Sequence, residues 1–266
     1  MSAIPVPTPA ARDKARWLVS DSLALAKRNL AHVRQIPEKL LDVTLQPIMF
    51  VLLFAFVFGG VIAVPGGDYK EYLIGGILVQ TIGFGMMGPG MSIATDLGEG
   101  FVDRFRSLPT SRSAYLGGHF LAEFAASLLA ITILSLTGLL VGWRIHSSVV
   151  HAIAGFGLLA LFAAAMIWIG TLVGVIVRTP DSVQGMAFMV IFPLTFVAST
   201  FVPVSGLPDG LRQAAEWNPF SAMAAAVRQL FGNPTATPHG APWPLLHPVL
   251  AAVIWSVALL VIAAPR

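Results

Sequence analysis

The sequence predicts an all-α integral membrane protein with six transmembrane helices, an N-terminal amphipathic interfacial helix and a re-entrant helical hairpin before the last span. Three observations carry that expectation. Hydrophobic residues make up 56% of the 266 and charged residues only 11%, with a mean hydropathy of +0.80; soluble domains are roughly half apolar and a quarter charged. Six apolar stretches each approach the ~20 residues a helix needs to cross a bilayer. Lys and Arg fall unevenly on the two sides those stretches define. Soluble enzymes and nucleic-acid-binding domains are poor fits, since the net charge is only +3. The absence of cysteine excludes disulfides, thiolate metal sites and a Cys nucleophile.

Residues 1–41 read as a basic tail, with Arg12, Lys14, Arg16, Lys27, Arg28, Arg34 and Lys39. Within 17–36, Trp17, Leu18, Leu23, Leu25, Leu30 and Val33 fall roughly at helical spacing among charges. That pattern suits an amphipathic helix on the membrane surface, with a partly disordered polar tail as the alternative. No continuous apolar run of signal-peptide type occurs there. Residues 42–266 then form one six-span membrane domain. Its spans are expected near 43–64, 72–95, 115–141, 152–177, 183–202 and 248–264, with one long segment at 203–247. Asymmetric loop lengths argue against duplicated halves.

Orientation follows from the basic residues. The face that carries both ends holds the N-terminal seven together with Arg104, Arg106, Arg112, Arg178 and Arg266. The other holds only Lys70, Arg144, Arg212 and Arg228. Both termini are therefore expected in the cytoplasm, and the long segment outside a plasma membrane.

No lysine follows a glycine, so the chain has no Gly-Lys phosphate loop. It also lacks HExxH and Gly-x-Ser-x-Gly, and no catalytic or metal-binding residue is expected. Gly83-Phe84-Gly85-Met86-Met87-Gly88 matches GxGxxG but sits inside an apolar span and runs into Pro89. A dinucleotide site would need a strand before it and a helix after it. Close helix packing or a local break fits better. Gly138/Gly142 and Gly170/Gly174 suit either an internal helix contact or a dimer face.

Glu123 is the one Asp, Glu, Lys or Arg within the six apolar cores, and His119 lies four residues earlier on the same helical face. A mid-bilayer charge costs about 2.5–3.5 kcal/mol on insertion scales. The pair could bind a proton, a metal or a substrate headgroup, or could simply reach interfacial water near the end of its span. A stand-alone carrier driven by an ion gradient through Glu123 and His119 is the rival reading.

Two segments look purposeful. The link 96–112 starts acidic, ends basic and stops at Pro109. Phe101, Phe105 and Leu108 share one face of a short helix, with Asp103, Arg104 and Arg106 around it. That suits docking into a groove on a soluble partner, or a surface helix that orients the topology. On the other side, Asp209 can cap a helix running to Trp217. Asn218-Pro219 supplies a cap and a first-turn proline for another, whose apolar run 222–227 ends at Arg228. A re-entrant hairpin closing an outer mouth and a surface hairpin shielding the bundle both fit.

At these segments the chain resembles type-2 ABC exporter permeases, and within them the daunorubicin-resistance branch. The cytoplasmic signature is carried by Phe101, Asp103, Arg104, Phe105, Arg106, Leu108, Pro109, Ser111, Tyr115, Leu116 and Gly117. The outer-side pattern is carried by Phe201, Val202, Pro203, Leu207, Pro208, Trp217, Asn218, Pro219, Phe220, Arg228, Leu230 and Gly232. The resemblance implies two permease copies or paralogues joined to two ABC ATP-binding subunits, with ATP and Mg bound in the partner and no cofactor in this chain. It assigns the N-terminal helix and the link from Gly100 to Pro109 to coupling with those subunits. It also implies outward movement of an amphipathic drug, lipid, glycolipid or polysaccharide. Phe84, Met86, Met87 and Met91 favour an apolar or amphipathic cargo over a sugar polymer.

Overall fold

A computed structural model describes residue 45 and residues 48–100, 112–177, 179–238 and 240–263, the side chains of 112–114 aside. Among the described residues every regular element is helical. Lipid offers backbone groups no hydrogen-bond partners, and a helix satisfies them within its own segment. α1 is Ile48–Phe58, its final turn wound as a π-helix over Phe54–Phe58. α2 (Tyr69–Phe84) and α3 (Met87–Gly98) follow almost end to end. Next come α4 (Arg112–Val141), α5 (Val149–Val177) and α6 (Pro180–Val197). The pair α7 (Asp209–Glu216) and α8 (Pro219–Phe231) precedes a single turn, α9 (Trp243–Leu246), and the final helix α10 (Pro248–Ala263).

Four helical stretches are long and apolar enough to cross a membrane: Tyr69–Gly98, Tyr115–Val141, Val149–Val177 and Pro180–Val197. α1 and α10 are apolar but shorter. The first expected span, 43–64, ends early. Its helix stops at Phe58, because Gly59-Gly60 and then Pro65-Gly66-Gly67 are poor helix formers. The fifth, 183–202, stops at Val197, and Ala198 is extended. Side chains from elsewhere capture the carbonyls of that helix end: Asn218 Nδ2 donates to Leu194 O at 2.7 Å and the Tyr72 hydroxyl to Ser199 O at 2.7 Å.

Asn218 caps α8 as its sequence suggests, accepting from Phe220 N at 2.9 Å, with Pro219 in the first turn. Asp209 does not cap α7. Pro208 holds the cap position without a side-chain bond, and Asp209 stands in the first turn, where its charge suits the helix dipole. The apolar run of α8 ends at Arg228, and the helix itself continues to Phe231 and closes on Gly232 in the left-handed region.

The most extensive helix pair is α3 with α5. A Cβ on Gly170 would stand 2.1 Å from Met86 O, and one on Gly174 2.3 Å from Gly90 O. These glycines let the two backbones touch, so Gly170/Gly174 serves an internal crossing rather than a dimer face. α8 sits at the centre, packed against α2, α5 and α10. Its residues Phe220–Arg228, Leu230 and Phe231 are all buried. Thirteen residues give about 20 Å of helix, short of the ~30 Å hydrocarbon core.

Two loops, the α4–α5 connection and the segment after α8, meet at one end of the bundle. Backbone N–H groups of His146 and Ser147 donate to Phe231 O at 2.9 and 3.3 Å. Asn233 accepts from Trp143 Nε1 and donates to Arg144 O, both at 2.8 Å. At the opposite end the Tyr115 hydroxyl donates to the Asp96 carboxylate, tying the end of α3 to the start of α4.

Candidate functional site

A cavity of about 580 Å³ lies among α1, α2, α3, α4 and α6, within the size range of drug-sized ligand sites. Helical spacing builds its walls. Gln184, Phe188, Phe192 and Phe196 recur every four residues and line one stripe of α6. Gln80, Thr81 and Phe84 face them from α2, and Glu123, Ser127 and Ala130 from α4. Phe50 of α1 completes the aromatic surface. The rings are in mutual contact: Phe84 and Phe188 have centroids 5.6 Å apart, and Phe192 and Phe196 stack at 4.2 Å. Phe188, Phe192 and Phe196 are each roughly half exposed on the chain.

Glu123 is the only ionisable side chain on this wall among the described residues. Gly88 makes room for it, since a Cβ there would stand 3.1 Å from Glu123 Oε2. The GxGxxG match therefore resolves into packing. α2 breaks at Gly85-Met86, Gly83 admits the Phe220 ring and Gly88 admits the carboxylate, with helices on both sides and no strand among the described residues.

His119 does not line the cavity. It is buried, its ring stacks beside Tyr115 with centroids 6.5 Å apart, and its Nε2 has no partner among the described residues. The structure thus puts Glu123 on the cavity wall and His119 away from it. Of the methionines singled out in the sequence, Met87 reaches the wall and Met86 belongs to the core.

The coupling residues Phe101, Asp103, Arg104, Phe105, Arg106, Leu108 and Pro109 lie outside the described residues, as does the amphipathic helix expected within 17–36. Gly100 is described. Its φ of +66° follows the end of α3, and its N–H donates to Leu97 O at 3.3 Å.

Arg228 forms a second polar centre, at the hairpin end. It is fully buried, its Nε donates to Tyr72 O at 2.7 Å, and its Nη2 donates to Thr200 O at 3.0 Å. The guanidinium carbon lies 3.5 Å from the centroid of the Tyr72 ring. Gly75 and Gly76 form its seat, since a Cβ on either would stand 2.9 Å from the Arg228 side chain. Ser221 Oγ accepts from Ser199 N at 2.9 Å. One buried cation thereby joins α8, α2 and the turn after α6. Trp217, by contrast, is exposed and ends α7 without bonding into this network.

Sequence reasoning missed the aromatic stripe on α6, although the four-residue spacing of Gln184, Phe188, Phe192 and Phe196 was there to find. It could not have found Tyr72 and Thr200 as the seat of Arg228, because they lie 156 and 28 residues away.

A bundle of apolar helices long enough to cross a bilayer, wrapped around an aromatic cavity, defines a multi-pass membrane protein. The chain belongs to the ABC-2 type transporter family, whose model matches residues 21–231. It is similar to the daunorubicin resistance ABC transporter permease protein DrrB1 of Streptomyces coeruleorubidus, with 30% identity over 212 residues, covering 80% of this chain and 75% of that protein. It is also similar to the doxorubicin resistance ABC transporter permease protein DrrB of Mycobacterium tuberculosis, at 26% over 227 residues, 82% of this chain and 77% of that one. A putative transport permease, ycf38, of Cyanophora paradoxa is 22% identical over 221 residues, 82% of this chain and 76% of that protein.

Proposed function

We propose that this chain is the transmembrane permease subunit of an ATP-driven exporter that moves an amphipathic drug, lipid or glycolipid out of the cytoplasm or the inner leaflet. Family membership across 21–231, with relatives named as drug-resistance permeases, is the observation that carries this reading. The drug-sized aromatic cavity supports it. The chain crosses the plasma membrane six times, through α1, the broken pair α2–α3, α4, α5, α6 and α10, with both termini cytoplasmic. The N-terminal helix lies on the inner surface, and α7–α8 form a re-entrant hairpin from the outer side. ATP and Mg bind a separate ABC subunit, and a second permease copy or paralogue completes the transporter.

In this reading the link from Gly100 to Pro109 docks on the ATP-binding subunit. Its closure on nucleotide pulls α3 and α4, which the Asp96–Tyr115 bond holds together at that end. Both helices contribute to the cavity wall, through Met87, Gly88 and Glu123. Displacing them reshapes the cavity, while α8, fastened by Arg228, closes the outer side. Mild-detergent co-purification of the tagged chain tests the assignment. A stoichiometric ATP-binding subunit is expected. Its absence, with transport persisting in ATP-free vesicles, would overturn the reading in favour of an ion-gradient carrier.

A further inference from the structure

We infer that Arg228 and the hydroxyls gathered around it form a buried site for one small monovalent anion, chloride being the ion of fitting charge and size. The inference goes beyond the exporter reading and does not rest on it. Charge comes first. Arg228 is fully buried, yet its partners among the described residues are two backbone carbonyls and the Tyr72 ring. The ion pairs among those residues join Glu71 to His146 and Arg212 to Glu216, so none of their carboxylates neutralises Arg228. Carbonyl dipoles and a π-face leave the unit charge in place, and a charge taken out of water is ordinarily matched by an opposite one.

Unused donors come second. Six buried side-chain polar atoms lack a hydrogen-bond partner among the described residues, and four of them belong to this centre: Arg228 Nη1, the Tyr69 hydroxyl, Ser199 Oγ and Thr200 Oγ1. All four residues are at most 4% exposed. Buried polar groups are nearly always satisfied, so four in one place point to a shared partner. Ser199 and Thr200 are neighbours in the turn after α6. Their backbone is held there by the Tyr72 hydroxyl on Ser199 O, Ser221 Oγ on Ser199 N and Arg228 Nη2 on Thr200 O. Tyr69 stands one turn before Tyr72 on α2 and interacts electrostatically with both Tyr72 and Arg228. Nη1 can only donate, and each hydroxyl can rotate to donate toward the same point. Water would satisfy these donors without touching the charge, whereas an anion does both. One guanidinium balances one negative charge, which favours a monovalent ion. Held in this way, the ion ties α8, α2 and the turn after α6 at a single point, and the seating of α8 becomes sensitive to chloride.

The test is thermal unfolding of the full chain in detergent, in sodium chloride against sodium gluconate at equal ionic strength, which holds screening constant. The wild-type midpoint should rise saturably with chloride, as linkage requires of a ligand that binds only the folded state. Bromide should substitute for chloride, and gluconate, too large to enter, should not. Tyr69→Phe and Thr200→Val each remove one hydroxyl with little change of shape. Each should raise the half-saturating chloride concentration at least about tenfold. Arg228→Met should abolish the response, and the two hydroxyl variants keep the inference testable if that one fails to fold. Equal wild-type midpoints in chloride and gluconate would overturn the inference, because ordered water then suffices for these groups. A chloride response of undiminished affinity in both hydroxyl variants would overturn it as well, by placing the ion elsewhere.

Discussion

Arg228 Nε donates to the carbonyl of Tyr72 at 2.7 Å, and its guanidinium carbon lies 3.5 Å from the ring centroid of the same residue. Together with the bond to Thr200 O, this fixes a fully buried cation by carbonyl dipoles and a π-face. Hydrogen bonds from charged groups contribute about 1.5–3 kcal/mol each, and removal of the guanidinium loses both of these bonds. Relief of the desolvation cost offsets part of that loss. Arg228→Met should therefore lower stability by roughly 2–4 kcal/mol, measured as thermal unfolding in detergent. Arg228→Lys should recover little, because a single ammonium cannot span both carbonyls and stack. Wild-type stability in both variants would show that the contact contributes nothing.

Two glycines of α5 give opposite expectations. Gly174 faces the backbone of α3, while a Cβ on Gly157 meets nothing within 4 Å. Gly174→Ala forces a backbone contact apart and should destabilise by about 1–3 kcal/mol or more. Gly157→Ala, in the same helix, should be neutral or stabilising by up to about 1 kcal/mol. Unfolding midpoints of the two variants, measured side by side, check the assignment of the α3–α5 crossing.

At the hairpin end, the short Glu71–His146 contact of 2.6 Å joins partly exposed side chains. Exposed ion pairs contribute at most about 1 kcal/mol. Glu71→Gln should scarcely change the unfolding midpoint. Asn233→Ala should cost more, roughly 1–3 kcal/mol, because it orphans the fully buried Trp143 Nε1–H. A midpoint ordering with Glu71→Gln below Asn233→Ala would contradict this ranking.

Replacing Arg104 and Arg106 with Glu should uncouple transport while the protein remains folded in the membrane. The reading is that these residues meet the ATP-binding subunit, and charge reversal opposes that encounter. Membrane abundance and ATP-dependent export, measured on the same vesicles, separate uncoupling from misfolding. Undiminished export would remove the link from the mechanism.

The absence of cysteine makes topology directly testable. A single cysteine in place of Asp209 or Pro234 should react with a membrane-impermeant maleimide in intact cells. One in place of Thr110 should react only after permeabilisation. The reverse pattern would invert the orientation drawn from the basic residues.

Much of this architecture was legible in local sequence. Length and apolarity marked the four long helical stretches, since a span must satisfy its backbone internally and bury no unpaired charge. Asn218-Pro219 announced the start of α8, because capping is decided within two or three residues. Glu123 stood out as a lone acid in an apolar stretch, and it does reach the cavity. The ends of α1 and α6 were misplaced for different reasons: a glycine pair stops the first, whereas distant side chains intercept the carbonyls of the second.

What sequence alone determined was where the chain becomes helical and which stretches belong in lipid, because both depend on local composition and backbone hydrogen bonding. Only tertiary structure decided which faces turn inward. α5 is apolar over nearly its whole length, so no polar stripe distinguishes its buried face from its lipid face. The cavity draws its walls from helices far apart in the chain, and Arg228 finds its seat on Tyr72, Gly75, Gly76 and Thr200 only when α8 is inserted among them. Close packing selects those partners through shape, and shape is a property of the assembled bundle rather than of any one segment.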